Sequence, residues 1–139
     1  MKTTRLPILC IDFDGVIHSY TSGWKGVDKI PDPPVPGAIY ALQVYTGYFD
    51  VNIYSSRSKD PNGIDAMVKW LTENGLEPQY LLKIRLPSQK PPAFLTIDDR
   101  AVCFTGDFPR PKELLAFKPW YQKPQPFPDK MTRIENDNN

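Results

Sequence analysis

The sequence predicts an α/β fold in which a mostly parallel sheet is covered by helices. The first observation is the order of the elements, which runs strand, helix, strand, helix, strand, strand, helix along the chain. Parallel neighbours need long crossover connections, so this alternation is typical of parallel sheets. The second observation is that polar clusters follow three of the strands. The carboxyl ends of parallel strands meet at one sheet edge, which is where we expect a ligand to bind.

Size and composition predict a single globular domain over residues 1–121. The chain has 139 residues, 40% hydrophobic and 24% charged, and its formal net charge of +1 creates no overall basic field. No apolar run approaches the roughly 20 residues of a membrane span, and no signal peptide precedes the first strand. Cys10 and Cys103 occur in apolar runs, which predicts buried reduced thiols. We therefore expect a cytoplasmic protein without a membrane partner.

The first strand ends in two carboxylates. Residues 6–17 contain a short apolar run of the kind that forms a buried strand, followed by Asp12 and Asp14 with one residue between them, and then by Gly15. Two ionised carboxylates this close repel each other, and burial makes each more costly. A metal ion or a catalytic role would offset that cost. Residues 18–36, rich in glycine and proline, predict a loop that we call the flap.

The middle of the chain predicts helix, strand, helix. Residues 37–46 place apolar side chains on one helical face. Residues 49–54 predict the second strand, which ends in a polar segment that begins with Ser55. A clearer helix follows, capped by Asp60 and stopped by Gly75.

The last third of the chain predicts a third strand, a fourth strand that resumes briefly after a polar break, and a helix. Their expected ranges are 80–86, 93–97 and 101–105 for the strands and 111–117 for the helix. The acidic pair Asp98-Asp99 directly follows the second of these strands. Residues 122–139 are polar, contain several prolines and lack apolar periodicity, which predicts a disordered tail.

Four polar motifs lie along the chain in the order Asp12-Phe13-Asp14-Gly15, Ser55, Lys90 and Asp98-Asp99. In residue types and in order, they resemble the four motifs of the haloacid dehalogenase superfamily of phosphatases. The resemblance covers residues 6 to about 105, and its first and last motifs are the specific ones. Ser-x-Arg in the second motif and Ile-Asp-Asp-Arg-Ala in the fourth are similar to small phage and bacterial members and to the phosphatase domains of polynucleotide kinase-phosphatases. The resemblance implies a three-layer Rossmann-like fold with helices on both faces of the sheet.

The resemblance also implies a role for each matched residue. Asp12 would attack phosphorus and form an aspartyl-phosphate. Asp14 would protonate the leaving oxygen and then deprotonate the hydrolytic water. Ser55 and Lys90 would bind the oxygens of the transferring phosphoryl group.

A magnesium ion is the cofactor that the resemblance implies. Its ligands would be Asp12, the backbone carbonyl of Asp14, and Asp98, with Asp99 bound directly or one contact away. Magnesium prefers oxygen ligands and keeps several waters, so few protein ligands suffice.

Several neighbouring residues compete for these roles. Ser56 is an alternative to Ser55. Lys59 and Lys83 are alternatives to Lys90, although Lys59 comes early and Lys83 lies within a predicted strand.

The remaining polar and aromatic candidates have a structural interpretation beside the functional one. Arg57 and Arg100 either bind substrate phosphate or pair with nearby carboxylates. His18 and Trp24 belong to the flap, where a lone histidine is more often structural. Trp70 neighbours the apolar stripe of its helix and is predicted to lie in the core.

The chain leaves no room for a cap domain, because the flap is too short to form one. An open site suits bulky substrates. The resemblance therefore implies a magnesium-dependent phosphomonoesterase, and family analogy favours a nucleotide or a polynucleotide terminal phosphate as its substrate. The alternatives are a small-metabolite phosphatase closed by a second subunit in a homo-oligomer, and a binding or scaffold protein without catalytic activity.

Overall fold

The computed structural model of the chain describes residues 5–122, which form a three-stranded parallel sheet with helices. The central strand is β1 (Ile8–Ile11), with β2 (Asp50–Ile53) on one side and β3 (Leu95–Ile97) on the other. The register aligns the last residues of the three strands. An α/β fold with a parallel sheet is thereby confirmed, while the three-layer arrangement stays a prediction.

The helices lie between and after the strands. They are α1 (Ala38–Tyr45), α2 (Pro61–Glu73), α3 (Pro78–Leu81) and α4 (Pro111–Leu115), and a 3-10 turn follows at Trp120–Gln122. Helix α2 begins as predicted, because the Asp60 carboxylate accepts a hydrogen bond from the Asn62 amide at 2.9 Å. Apart from Gln122, the tail predicted for residues 122–139 lies outside the described residues.

The strand predicted for residues 80–86 is wrong. Pro78 begins the short helix α3 instead, since its fixed φ suits the first helical position. Only Arg85 pairs with the outer edge of β2. Its amide donates to the Val51 carbonyl at 2.9 Å, and its carbonyl accepts from the Ile53 amide at 2.8 Å.

The strand predicted for residues 101–105 is also absent. A turn ends β3, in which the Arg100 amide donates to the Asp98 carboxylate at 2.9 Å. The segment that follows is exposed and pairs with no strand among residues 5–122. Cys103 is therefore exposed, contrary to the prediction, whereas Cys10 is buried as predicted.

The core surrounds β1, β2 and α2. Each of these two strands buries three of its four residues, as expected for strands made of apolar runs. Trp70 is buried as predicted, and its indole donates to the Asp32 carbonyl at 3.1 Å. Among the described residues, none of the helices has the length and apolar character needed to cross a membrane.

Candidate functional site

The loop after β1 brings two predicted motifs together. The Asp12 amide donates to the Ile97 carbonyl at 2.9 Å, which extends the pairing of β1 with β3 by one residue. Gly15 has φ of 85°, a conformation that side chains with a Cβ rarely adopt. A Cβ at Gly15 would collide with the Asp99 carboxylate. Glycine is required at this position because the acid of the fourth motif packs directly against the backbone of the first.

A cavity of about 180 Å³ lies at the carboxyl edge of the sheet. Four of the predicted site residues line it, namely Asp12, Ser55, Lys90 and Asp98. The other lining residues are Cys10, Tyr54, Ser56 and Thr96. The structure therefore brings together side chains from three separate segments of the chain, each following or preceding a strand as the sequence predicts.

Three carboxylates form an acidic cluster at one side of this cavity. Asp12, Asp98 and Asp99 each offer an oxygen, and these oxygens all lie within 4.8 Å of one another. Burial raises the pKa of Asp12 to about 8, and the hydrogen bond to Asp99 and the charge of Asp98 act in the same direction. Burial also raises the pKa of Asp99. These carboxyls therefore resist ionising together.

The cluster fits a hard divalent cation. Its donors are all carboxylate oxygens, which magnesium prefers, and a cation placed among them would remove the electrostatic cost of ionising them. Asp12, Asp98 and Asp99 would hold the ion. The side chain of Asp14 is not part of the cluster, and the resemblance assigned only its backbone carbonyl to the metal.

The Asp14 side chain contacts two fully buried partners. His18 Nε2 lies 3.1 Å from the Asp32 amide and must accept its proton, so the histidine proton resides on Nδ1. His18 Nδ1 then donates to Asp14 Oδ1 at 2.9 Å. Arg57 Nε donates to both Asp14 oxygens, at 3.2 and 2.9 Å. Asp14 is consequently held in one orientation by a neutral donor and a cationic donor.

Arg57 connects Asp14 to the flap. Its Nη1 donates to the carbonyls of Gly26 at 2.9 Å and Val27 at 2.8 Å, and the Trp24 ring lies 4.7 Å from its Cζ. Its Nη2 is buried and has no hydrogen-bond partner within residues 5–122. Arg57 does not line the cavity. Two roles were predicted for Arg57, and the structure contains one of them, the pairing with a carboxylate, which is that of Asp14.

The loop after β2 positions the serines. The Ser55 amide donates to Ser58 Oγ, and the Arg57 amide donates to Ser55 Oγ, both at 3.0 Å. Ser56 is exposed and lines the cavity beside Ser55. A Cβ at Gly63, in the first turn of α2, would collide with the Arg57 carbonyl. Glycine at this position allows α2 to pack tightly beneath the loop.

The three lysine candidates occupy different places. Lys90 lines the cavity, and its charge is close enough to act on the buried Cys10 thiol. Lys59 and Lys83 are exposed and are not among the lining residues.

Sequence reasoning missed a contribution from the end of the described chain. Trp120 Nε1 donates to the Gly15 carbonyl at 2.7 Å across 105 positions of sequence. Arg100 Nη2 donates to the Tyr121 hydroxyl at 3.3 Å, and Arg100 Nε lies 4.0 Å from Asp99 Oδ2. No local pattern signals these contacts, since the two aromatic residues only follow a proline before a polar tail.

Sequence reasoning also underestimated the role of His18, the buried partner of Asp14. His18 is structural in the sense that it is completely buried, yet it touches Asp14 directly.

Comparisons of this chain with protein-family models, with curated proteins and with solved structures find no match to any of them.

Proposed function

We propose that this protein is a magnesium-dependent phosphomonoesterase in which Asp12 is the nucleophile. The observation that carries the proposal is the shared cavity lined by Asp12, Ser55, Lys90 and Asp98. A carboxylate nucleophile, hydroxyl and ammonium donors for phosphoryl oxygens, and an oxygen-rich metal site are the groups that phosphoryl transfer requires. A structural role for these residues would not require them to share one cavity.

The reaction proceeds in two displacements. In the first, Asp12 Oδ forms a bond to phosphorus while the bond from phosphorus to the ester oxygen breaks, and Asp14 gives a proton to that oxygen. In the second, Asp14 takes a proton from water as the water oxygen attacks phosphorus and the bond from phosphorus to Asp12 Oδ breaks, which releases inorganic phosphate and restores Asp12. Magnesium, when bound, neutralises negative charge on the carboxylates and on the phosphoryl group.

The remaining residues hold the reacting groups in place. Lys90 and a serine hydroxyl, from Ser55 or Ser56, bind the equatorial oxygens of phosphorus, where charge spreads in the transition state. His18 and Arg57 keep the Asp14 carboxyl in a fixed position between its two proton transfers. Nucleotides and polynucleotide termini are the substrates we propose, because the flap is too short to form a cap domain and an open site suits bulky substrates.

One observation favours an alternative in which a second copy closes the site around a small metabolite. Large apolar side chains are exposed on β3 and after it, next to the acidic pair of the fourth motif. A covering subunit would remove this surface from water. The sharpest distinction between the two functions is therefore substrate size.

The test is a phosphatase screen with magnesium on nucleotides, 3′- and 5′-phosphorylated oligonucleotides, sugar phosphates, phosphopeptides and a generic aryl phosphate. We expect turnover that disappears with EDTA and in Asp12→Asn, and that falls sharply in Asp14→Asn. Asp65→Asn, which changes an exposed acid on α2, is the matched control and should keep full activity. Full activity in Asp12→Asn, or activity that survives EDTA, would contradict the proposal. No turnover of any ester would favour the scaffold alternative.

A further inference from the structure

The 3-10 turn near the end of the described chain forms a wall beside the first motif. Trp120 fixes the turn by donating to the Gly15 carbonyl at 2.7 Å. A methyl group built on Gly15 would lie 3.2 Å from the Tyr121 ring. The Tyr121 ring therefore packs against the same glycine that admits the Asp99 carboxylate, and Arg100 donates to its hydroxyl.

A second tyrosine stands near this wall, on the flap. Tyr20 is the one non-glycine residue with positive φ (62°) between residues 5 and 122. Such strain persists where the surroundings impose it, often at functional sites. Its ring meets the His18 ring edge-on at 5.9 Å between centroids. The Gly15 amide donates to the His18 carbonyl at 2.8 Å, so the segment that carries Tyr20 and the turn that carries Tyr121 both lie beside Gly15.

The two tyrosines are offset from the position of the phosphoryl group. Neither Tyr20 nor Tyr121 lines the cavity that contains Asp12, whereas Tyr54 does. A ring that contacts Tyr20 and Tyr121 while phosphorus occupies this cavity therefore lies outside the cavity, joined to the phosphate by a spacer such as the sugar of a nucleotide.

We propose that Tyr20, Tyr121 and Arg100 form a subsite for the nucleobase of a nucleotide substrate. The inference rests on the proposed phosphatase function and specifies its leaving group. Tyrosine faces and an arginine plane stack on any base, and the guanidinium adds hydrogen-bond donors for base or sugar oxygens. The ribose supplies the spacer, and the base lies on the Asp14 side of the metal cluster, where the leaving oxygen receives its proton.

The experiment compares adenosine 5′-monophosphate with ribose 5-phosphate, which has the same phosphate and sugar but no base. In the wild-type protein we expect kcat/KM to favour the nucleotide by about tenfold, the usual scale of one stacked base. Tyr121→Leu should bring this preference close to unity, mainly through KM for the nucleotide. Tyr121→Phe keeps the ring and should retain most of the preference.

Tyr48→Leu is the control, because Tyr48 is an exposed tyrosine that precedes β2 at the opposite edge of the sheet. It should leave the preference unchanged. Equal kcat/KM for the two substrates in the wild-type protein, or an unchanged preference in Tyr121→Leu, would overturn the subsite.

Binding of unphosphorylated adenosine separates this inference from the proposed function. We expect adenosine to shift NMR signals of the wild-type protein, and the shifts to be lost in Tyr121→Leu but kept in Tyr48→Leu. If no ester is hydrolysed and adenosine still binds in this way, the phosphatase proposal fails and the subsite stands. If esters are hydrolysed but adenosine does not bind, the subsite fails and the phosphatase proposal stands.

Discussion

The chain from residue 8 to residue 84 and the chain from residue 85 to residue 118 are packed very differently. The first segment, which we call the packed half, contains every buried residue of the described chain except Pro119. The second, which we call the open half, buries none. Its large exposed apolar side chains are Phe94, Leu95, Val102, Phe104, Phe108, Leu114, Leu115 and Phe117. Strand β3 belongs to the open half although it pairs with β1, the buried central strand.

The candidate site is built across this boundary. Asp12, Asp14 and Ser55 come from the packed half, where core contacts fix the loops that carry them. Lys90 and the Asp98-Asp99 pair come from the open half, where a three-residue strand and a few hydrogen bonds position the acids. A ligand that joins both halves, such as a divalent cation among the three carboxylates, therefore stabilises the part that packing supports least.

The largest expected effect is a difference between two identical substitutions. Leu71→Ala removes a fully buried side chain from α2 in the packed half, while Leu115→Ala removes one that is 87% exposed on α4. We expect Leu71→Ala to lower the free energy of unfolding by about 2–5 kcal/mol. Leu115→Ala should change it by less than about 0.5 kcal/mol. Urea denaturation of both variants measures this, and similar losses would show that the open half is packed in solution.

A smaller effect is expected at the junction of the halves, from Gly15→Ala compared with Gly23→Ala. Both glycines have positive φ, 85° and 73°, so alanine costs about 1–2 kcal/mol at either position. Only the methyl group at Gly15 would meet the Asp99 carboxylate, whereas the space around Gly23 is empty. Gly15→Ala should therefore destabilise the protein more.

Magnesium provides the second readout of that comparison. In thermal unfolding, we expect magnesium to raise the melting temperature of Gly23→Ala as it does in the wild-type protein. The increase should be smaller in Gly15→Ala, because the new methyl group displaces the Asp99 carboxylate from the acidic cluster. Equal melting temperatures and equal magnesium responses in the two variants would mean that Asp99 does not depend on Gly15.

The parts of the fold that were predictable from sequence are those encoded locally. Strand β1 is a continuous apolar run, and α2 carries its own cap at Asp60, so both were located correctly. In residues 80–86, Lys83 and Arg85 alternate with apolar side chains, a pattern typical of a strand, but so short a segment is also compatible with a short helix. Pro78 starts the helix α3 in place of the predicted strand, and only Arg85 pairs with β2. The pairing of Arg85 depends on tertiary structure, which the local sequence does not encode.

The candidate site likewise has a part that was predictable from sequence and a part that was not. The convergence of Asp12, Ser55 and Asp98 follows from parallel strands that end at one edge, so sequence order is enough to predict it. The partners of Asp14 and the contact of Trp120 with Gly15 depend on how the flap and the end of the described chain fold back. No local pattern encodes those paths, and only the structure provides them.

The smallest expected effect concerns a partly buried polar contact in the packed half. Ser22 donates to the Asp32 carboxylate through its amide at 2.8 Å and its hydroxyl at 2.5 Å, and these bonds hold the pKa of Asp32 below its ordinary value. A lowered pKa in the folded state stabilises the protein above the unfolded pKa, and this stabilisation is lost as pH falls through the folded value. Ser22→Ala should therefore cost about 1 kcal/mol at pH 7.

The cost of Ser22→Ala should shrink as Asp32 takes up a proton, and the two unfolding curves should approach each other as pH falls through the lowered pKa of Asp32. Ser88→Ala, an exposed serine in the open half, should match the wild-type protein at every pH. Urea denaturation across this pH range measures both differences. A gap that stays constant with pH would assign the effect to the serine alone and not to the charge of Asp32. A gap that narrows as pH falls would show that the charge of Asp32 stabilises the part of the flap whose backbone also donates to His18.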